Sequence, residues 1–335
     1  MIIAAVGVAG VLALAGLLGV SDAPNAAAAL LGSRTGSYRA VAAWSVSWHI
    51  AGGLLAGAAV ARTIVGIVHV APALSVVVLA AASLTAVGFT WVTTRRGLPT
   101  SASVGLVGGL AGAGLAAGGA RAVEWGGLVG TRLVGVLGVL IGILVAPFVA
   151  AAAAGLVDRF ARRASLRLPR SARRELHGGL WLASAAVAAA DGTNDGQKAM
   201  GLLAVVVSGG GSLAAAGGIA PWERVLCAVI LGAGTVLGGH RVVARVSRGL
   251  ARGGAVDDLA AQGASAGVIL AAAALGLPLS TSTVVTSAMV GAGMSGRRRH
   301  VRWAGVARIF LVWVLTVPAC GVVAAGAFEV LRRLP

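Results

Sequence analysis

The chain has 335 residues, of which 58% are hydrophobic and only 11% charged, with a mean hydropathy of +0.94. An ordinary soluble domain carries about 25% charged residues, so a water-facing surface cannot be assembled from this composition. The formal net charge of +17 would suggest nucleic acid if it formed one basic face, but the arginines stand in short clusters between apolar runs, without interleaved aromatics. That arrangement argues against a nucleic-acid partner and matches the positive-inside pattern of cytoplasmic loops, which also touch anionic lipid.

A membrane span needs about 20 apolar residues. The first run, 2–20, has no basic segment before it and leads straight into Ser21-Asp22-Ala23-Pro24-Asn25, so it is expected to stay as a span and not to be cleaved as a signal. Spans follow at 40–60 and 64–94. A Gly- and Ser-rich stretch at 98–119 opens on Gly97-Leu98-Pro99-Thr100-Ser101-Ala102-Ser103, where Gly and Pro break the chain and Ser starts a helix as an N-cap. Another span is expected at 128–157, and then comes a strongly basic segment with Pro169. The apolar pattern resumes at 178–190, continues to 208, and returns at 222–243, 259–275 and 303–328. A second Ser-rich stretch, 277–295, opens on Gly276-Leu277-Pro278-Leu279-Ser280-Thr281-Ser282. Both Ser-rich stretches suit broken or re-entrant helices better than plain spans.

The two Gly-Leu-Pro elements lie 179 positions apart, and a second pair, Gly19-Val20-Ser21-Asp22 and Gly192-Thr193-Asn194-Asp195, lies 173 apart. A duplicated unit whose halves each carry an interrupted hydrophobic segment is the mark of an inverted-repeat transporter with its site at the repeat interface. The expected fold is therefore an all-α polytopic membrane protein of two inverted-topology repeats, with broken or re-entrant helices at the Gly-Leu-Pro-x-Ser elements. Residues 1–157 form the first transmembrane repeat, 158–176 a basic cytoplasmic linker and 177–335 the second repeat; both termini then face outward.

Ionisable groups inside apolar runs are costly and by default functional. Asp22, Asn25, Asp191, Asn194, Asp195, Gln197 and Lys198 all lie in such runs, and Lys198 is the only lysine in the chain. Asp195 and Lys198, three apart on one helical face, would neutralise each other. The Ser-rich elements add hydroxyls and helix amino termini, whose unpaired N–H groups and partial positive charge hold tetrahedral oxyanions. Carboxylates beside an anion are reasonable when the anion carries P–OH donors; sulfate at neutral pH has none. The same carboxylates would accept Na+ or a proton as coupling ion.

At these residues the chain resembles the inorganic phosphate transporter (PiT) family, whose halves carry a Gly-x-Asn-Asp-type and a Gly-Leu-Pro-x-Ser-type signature in this order. The match is fullest at Gly192-Thr193-Asn194-Asp195-Gly196-Gln197-Lys198-Ala199-Met200-Gly201 and at Pro278-Leu279-Ser280-Thr281-Ser282-Thr283. The resemblance implies symport of inorganic phosphate with Na+ or H+, in some bacterial members as a metal-phosphate complex. It assigns phosphate and cation binding to Asp22, Asn25, Ser101, Ser103, Asn194, Asp195, Lys198, Ser280, Thr281 and Ser282, with no catalytic residue, no resident metal and no cofactor. The chain departs from the family at Ser21, where Asn is usual, at Asp191, where His is usual, and at Val104 and Thr283, where His usually follows the Ser-rich elements.

A sulfate permease of the same fold is the nearest alternative. An intramembrane serine hydrolase has one hook, Gly263-Ala264-Ser265-Ala266-Gly267, in a helical run lacking the strand-turn-helix elbow that motif needs. A membrane protein with no transport activity is the remaining reading. His49, His69, His177, His240 and His300 show no metal-ligand spacing, and the eight tryptophans suit interface anchors. Two cysteines, Cys227 and Cys320, both within apolar runs, leave no room for a disulfide framework. The expected location is a bacterial plasma membrane, crossed many times. A homo-oligomer is compatible with the sequence, which fixes no subunit number.

Overall fold

A computed structural model describes residues 1–95, 101–129, 132–165, 173–238, 254–294 and 303–334. Eleven α-helices occur among them. The first half supplies α1 (Ile2–Gly32), α2 (Tyr38–Leu55), α3 (Ala59–Val65), α4 (Pro72–Arg95), α5 (Ala102–Gly118) and α6 (Gly135–Ser165). The second supplies α7 (Arg173–Val207), α8 (Pro221–Leu237), α9 (Ala255–Leu275), α10 (Thr281–Met294) and α11 (Trp303–Leu331). Helices α1, α4, α6, α9 and most of α11 are long and apolar enough to cross a bilayer, and α2 with α3 makes a sixth span bent by 75°.

The exposed side chains are apolar where a soluble protein would be polar. Leu137, Ile141, Leu144, Phe148, Val149 and Phe160 of α6 are all exposed, at spacings that form a lipid-facing stripe. Trp91, half exposed, carries the Arg95 guanidinium 4.0 Å over its ring at the end of α4, an aromatic–cation pair of the kind found at a membrane surface.

Helix packing is reciprocal between the halves. Helix α1 packs on α4 and α8, as α7 packs on α9 and α2; α5 packs on α4 and α11, as α10 packs on α9 and α6. In each half, then, the helices carrying the signatures find part of their packing in the other half, with α1 and α7 in contact at the centre. Glycine makes the closest crossings. A Cβ at Gly19 would overlap the Leu231 carbonyl oxygen of α8, and one at its counterpart Gly192 would overlap the His49 carbonyl oxygen of α2, so only glycine lets these backbones touch.

Several sequence boundaries shift. The expected span at 64–94 is cut in two: α3 ends at Val65 and α4 restarts at Pro72, whose ring suits a first helical position. The run at 40–60 breaks after Leu55 because both new helix ends have partners: Arg224 donates to the Leu54 and Ala56 carbonyls, and Gln197 Oε1 accepts the Val60 N–H at 2.9 Å. The span expected from 128 begins at Gly135, since Gly127–Val129 and Arg132–Val134 pair as an antiparallel β1–β2 ribbon, the one sheet among the described residues. Of the 158–176 segment, 158–165 continue α6 and 173–176 open α7, while 166–172 lie outside the described residues. There Arg162 links Asp158 of α6 at 2.7 Å and Asp257 at the start of α9.

The Ser-rich stretches are short helices. Helix α10 has 14 residues and α5 has 17, about 21 and 26 Å at 1.5 Å per residue, both short of a hydrocarbon core of about 30 Å. Gly97-Leu98-Pro99-Thr100 lies outside the described residues. Its counterpart is explicit: Gly276, in the left-handed region at φ +78°, ends α9, and α10 starts at Thr281.

Candidate functional site

Two long central helices carry the buried polar groups. In α1, Asp22 and Asn25 sit one turn apart, and Asn25 Nδ2 donates to Asp22 Oδ1 at 3.1 Å. In α7, Asp195 and Lys198 repeat the spacing, and Lys198 Nζ donates to Asp195 Oδ1. Lys198 is wholly buried and Asp195 nearly so. Pro24 lies inside α1 without ending it.

The two Ser-rich helix starts meet these carboxylates crosswise. Thr281 Oγ1 and Ser282 Oγ, from the second half, donate to Asp22 Oδ1 of the first at 2.7 and 3.1 Å. Lys198 of the second half donates to Ser103 Oγ of the first at 2.7 Å, and also to the Leu279 carbonyl at 2.6 Å. Ser101 is the N-cap of α5, accepting the Val104 N–H at 3.4 Å. Ser280 precedes α10 and shares a 2.7 Å hydroxyl bond with Thr283, the residue standing where the family usually has His.

Between these groups lies a small pocket, walled by Asp22 and Asp195, by Ser101 and Ser103, and by Ser280, Thr281 and Ser282, with Leu18, Ser21 and Ala102 completing it. The amino ends of α5 and α10 therefore open on one space from opposite halves. First-turn N–H groups have no partner inside their own helix, so both ends offer donors and partial positive charge there. A wider depression at His69, Leu74 and Arg121 lies apart from this cluster and holds no carboxylate.

Three of the expected site residues stand behind the cavity wall. Asn194 clamps the chain break: its Nδ2 donates to Leu277 O and its Oδ1 accepts the Leu279 N–H, both at 3.1 Å. Lys198 ties Asp195, Ser103 and the break together. Asn25 spans two carboxylates, donating also to Asp191 Oδ2 at 2.9 Å, while its carbonyl accepts from Gln262 Nε2 at 2.8 Å.

Two buried residues join the cluster that sequence spacing could not connect. His49, from α2, lies 3.9 Å from Asp191 through its Nε2, and both are fully buried. The only local signal was the acid at 191, in a position where the family usually has His. Ser265 is also accounted for. Inside α9, fully buried, its hydroxyl donates to the Ala261 carbonyl at 2.7 Å, so the Gly-x-Ser-x-Gly stretch forms no nucleophile elbow.

A mainly helical membrane protein of two interlocked repeats, with paired carboxylates and paired helix amino ends around one pocket, has the architecture of a membrane transporter. The family model for the Phosphate transporter family matches residues 18–178 and again residues 168–324, and the chain belongs to that family. A probable low-affinity inorganic phosphate transporter of Mycobacterium bovis (strain ATCC BAA-935 / AF2122/97) is 33% identical over 312 residues, 92% of this chain and 72% of that protein. One of the same description from Rhizobium meliloti (strain 1021) is 30% identical over 316 residues, 92% of this chain and 90% of that one. Among solved structures, one described as the sodium-dependent phosphate transporter shares the fold with a TM-score of 0.80 and 22% identity, covering 100% of both chains. The chain is thus a transporter-family protein and not an enzyme. Its bacterial relatives and apolar helices place it in the plasma membrane as a multi-pass protein.

Proposed function

We propose that the chain is a symporter of inorganic phosphate, holding the anion in the cavity between Asp22 and Asp195 and drawing on a Na+ or H+ gradient. The observation that carries this reading is the crossed pairing of Asp22 with Thr281 and Ser282, and of Lys198 with Ser103. It sets two carboxylates, two helix amino ends and several hydroxyls around one space, a combination that suits an anion carrying both oxyanion charge and P–OH donors. Asp22 and Asp195 accept those donors, Ser101, Ser103, Ser280, Thr281 and Ser282 face the oxygens, and Asn25, Asn194 and Lys198 hold the wall in place. The solved relative is described as sodium-dependent, which favours Na+ as the first coupling ion to try. A metal-phosphate complex and sulfate are the competing cargoes.

The repeats run from 1 to 157 and from 177 to 335, and the basic 158–176 segment, held on the cytoplasmic side by its arginines, joins them. Uptake of labelled phosphate and labelled sulfate into proteoliposomes, under an imposed Na+ or H+ gradient, tests the reading. Gradient-driven phosphate uptake that disappears in Asp195→Asn supports it; sulfate uptake in place of phosphate changes the cargo; uptake of neither overturns it.

A further inference from the structure

We propose that Asp22, Asp191 and His49 form a binding site for one divalent transition-metal cation of the Zn2+, Co2+ or Mn2+ type, beside the anion cavity and sharing Asp22 with it. One ligand atom from each residue lies within 4.8 Å of the other two, and their exposure is 1%, 0% and 0%.

The trio is oriented by bonds that leave one atom of each residue unused. Asn25 Nδ2 holds Asp22 by Oδ1 and Asp191 by Oδ2. His49 Nδ1 lies 2.8 Å from the Ser45 carbonyl oxygen, which accepts and so fixes the ring proton on Nδ1. Nε2 is then left with its lone pair, the arrangement usual for a metal-bound histidine. Asp22 Oδ2, Asp191 Oδ1 and His49 Nε2 have no hydrogen-bond partner among the described residues. Buried polar atoms are nearly always paired, and three clustered residues that each keep an unpaired polar atom call for a common partner. Two acceptor-only carboxylates and a lone-pair nitrogen call for a cation. Lys198 does not fill the role, since its ammonium is already held by Asp195, Ser103 and Leu279 O.

The ligand set narrows the cation. Mg2+ and Ca2+ take oxygen ligands, whereas one imidazole with two carboxylates suits zinc and its first-row neighbours, with a fourth position left to water or to the anion. Asp191 supplies the second carboxylate, at the position where the family usually has His, and the imidazole arrives instead from α2. Asp22 faces both ways: its carboxylate lines the anion cavity and accepts from Thr281 and Ser282. A cation on Asp22 therefore lowers the negative charge that the anion meets, a consequence that rests on the phosphate reading although the site itself does not.

The test uses the metal-stripped, tag-free full chain in detergent without phosphate, titrated with Co2+ and followed by visible absorption and metal analysis. The expected result is one saturable Co2+ per chain, displaced by Zn2+. Affinity should fall about 100-fold or more in His49→Ala and Asp191→Asn, at least the upper end of what losing an outer partner costs. Binding should persist when His69, His177, His240 and His300 are all replaced by Gln. No saturable binding, or binding unchanged in His49→Ala, overturns the proposal. Should the His49 variant fail to run as a single species, the four-histidine variant decides with Cu2+: ¹⁴N hyperfine coupling from its one remaining imidazole supports the site, and its absence overturns it. Co2+ binding in a chain that takes up no phosphate leaves this site standing while sinking the phosphate reading, and the reverse pattern does the opposite.

Discussion

Lys198→Met tests whether the single lysine holds the site or merely neutralises its neighbour. Methionine keeps an unbranched side chain but leaves the Asp195 carboxylate, Ser103 Oγ and the Leu279 carbonyl without their common donor. With Lys198 at 0% and Asp195 at 2% exposure, solvent does not make up the loss, and breaking such a buried pair costs about 3–5 kcal/mol. At about 1.4 kcal/mol per factor of ten, that is roughly a hundred- to several-thousand-fold change in the folding equilibrium. Adding Asp195→Asn removes the stranded charge, so the double variant should recover much of the lost stability, a coupling that a double-mutant cycle reads directly. Tryptophan fluorescence during denaturation in detergent gives the stability, and calorimetric titration with phosphate gives binding. The expected outcome is an unstable single variant and a sturdier double variant that still binds no phosphate. A stable double variant that transports at the wild-type rate would make the pair a packing device and refute the reasoning.

Ser103→Ala takes one acceptor from the Lys198 ammonium. Hydrogen bonds to charged groups contribute about 1.5–3 kcal/mol, so phosphate affinity measured by titration should weaken at least tenfold. Thr281→Val keeps the shape but deletes the 2.7 Å bond to Asp22, and its effect should be smaller than that of Thr281→Val with Ser282→Ala, because both hydroxyls serve one oxygen. Gly192→Val drives a side chain into the His49 carbonyl, whereas Gly88→Val meets nothing within 4 Å. Overpacking costs about 1–3 kcal/mol, so the yield of monodisperse protein should collapse for the first and hold for the second. A cysteine at Arg163, exposed in the last turn of α6, in a chain with Cys227 and Cys320 replaced by Ala, should react with an impermeant maleimide only from the cytoplasmic side; labelling from outside reverses the topology.

The parts of this fold that could be read in the sequence were those encoded locally. The repeated Asp22 and Asp195 segments, the Ser101 cap and the break before Thr281 each announce themselves within a few residues, and the duplication showed that they belong together. Asn194 reads as a ligand for the same local reason, yet it secures a backbone break, which no spacing reveals. The α2–α3 bend escaped notice because its two ends are stabilised from afar, by Gln197 at a separation of 137 residues and by Arg224 at 168 from Ala56. His49 and Asp191 stayed apart for a similar reason: a helix of the first half and one of the second bring them together, and nothing near either residue points to the other. The β1–β2 ribbon lay within an apolar stretch that pattern alone could not tell from helix.

The bond between Thr281 and Asp22 also sets a timetable. It joins residues 259 apart, and a ribosome adding about 5–20 residues per second needs roughly 13–50 s to cover that stretch. For that interval α1 sits in the bilayer with an aspartate whose hydroxyl donors do not yet exist. An acid at the middle of an inserted helix costs about 2.5–3.5 kcal/mol, while each Leu, Ile or Val contributes about 0.3–0.6 kcal/mol in favour. The ten such residues between Ile2 and Val20 supply about 3–6 kcal/mol, enough to keep α1 inserted until its partner is made. The length and greasiness of the first helix are thus what allow a split site to be built from one end of the chain to the other.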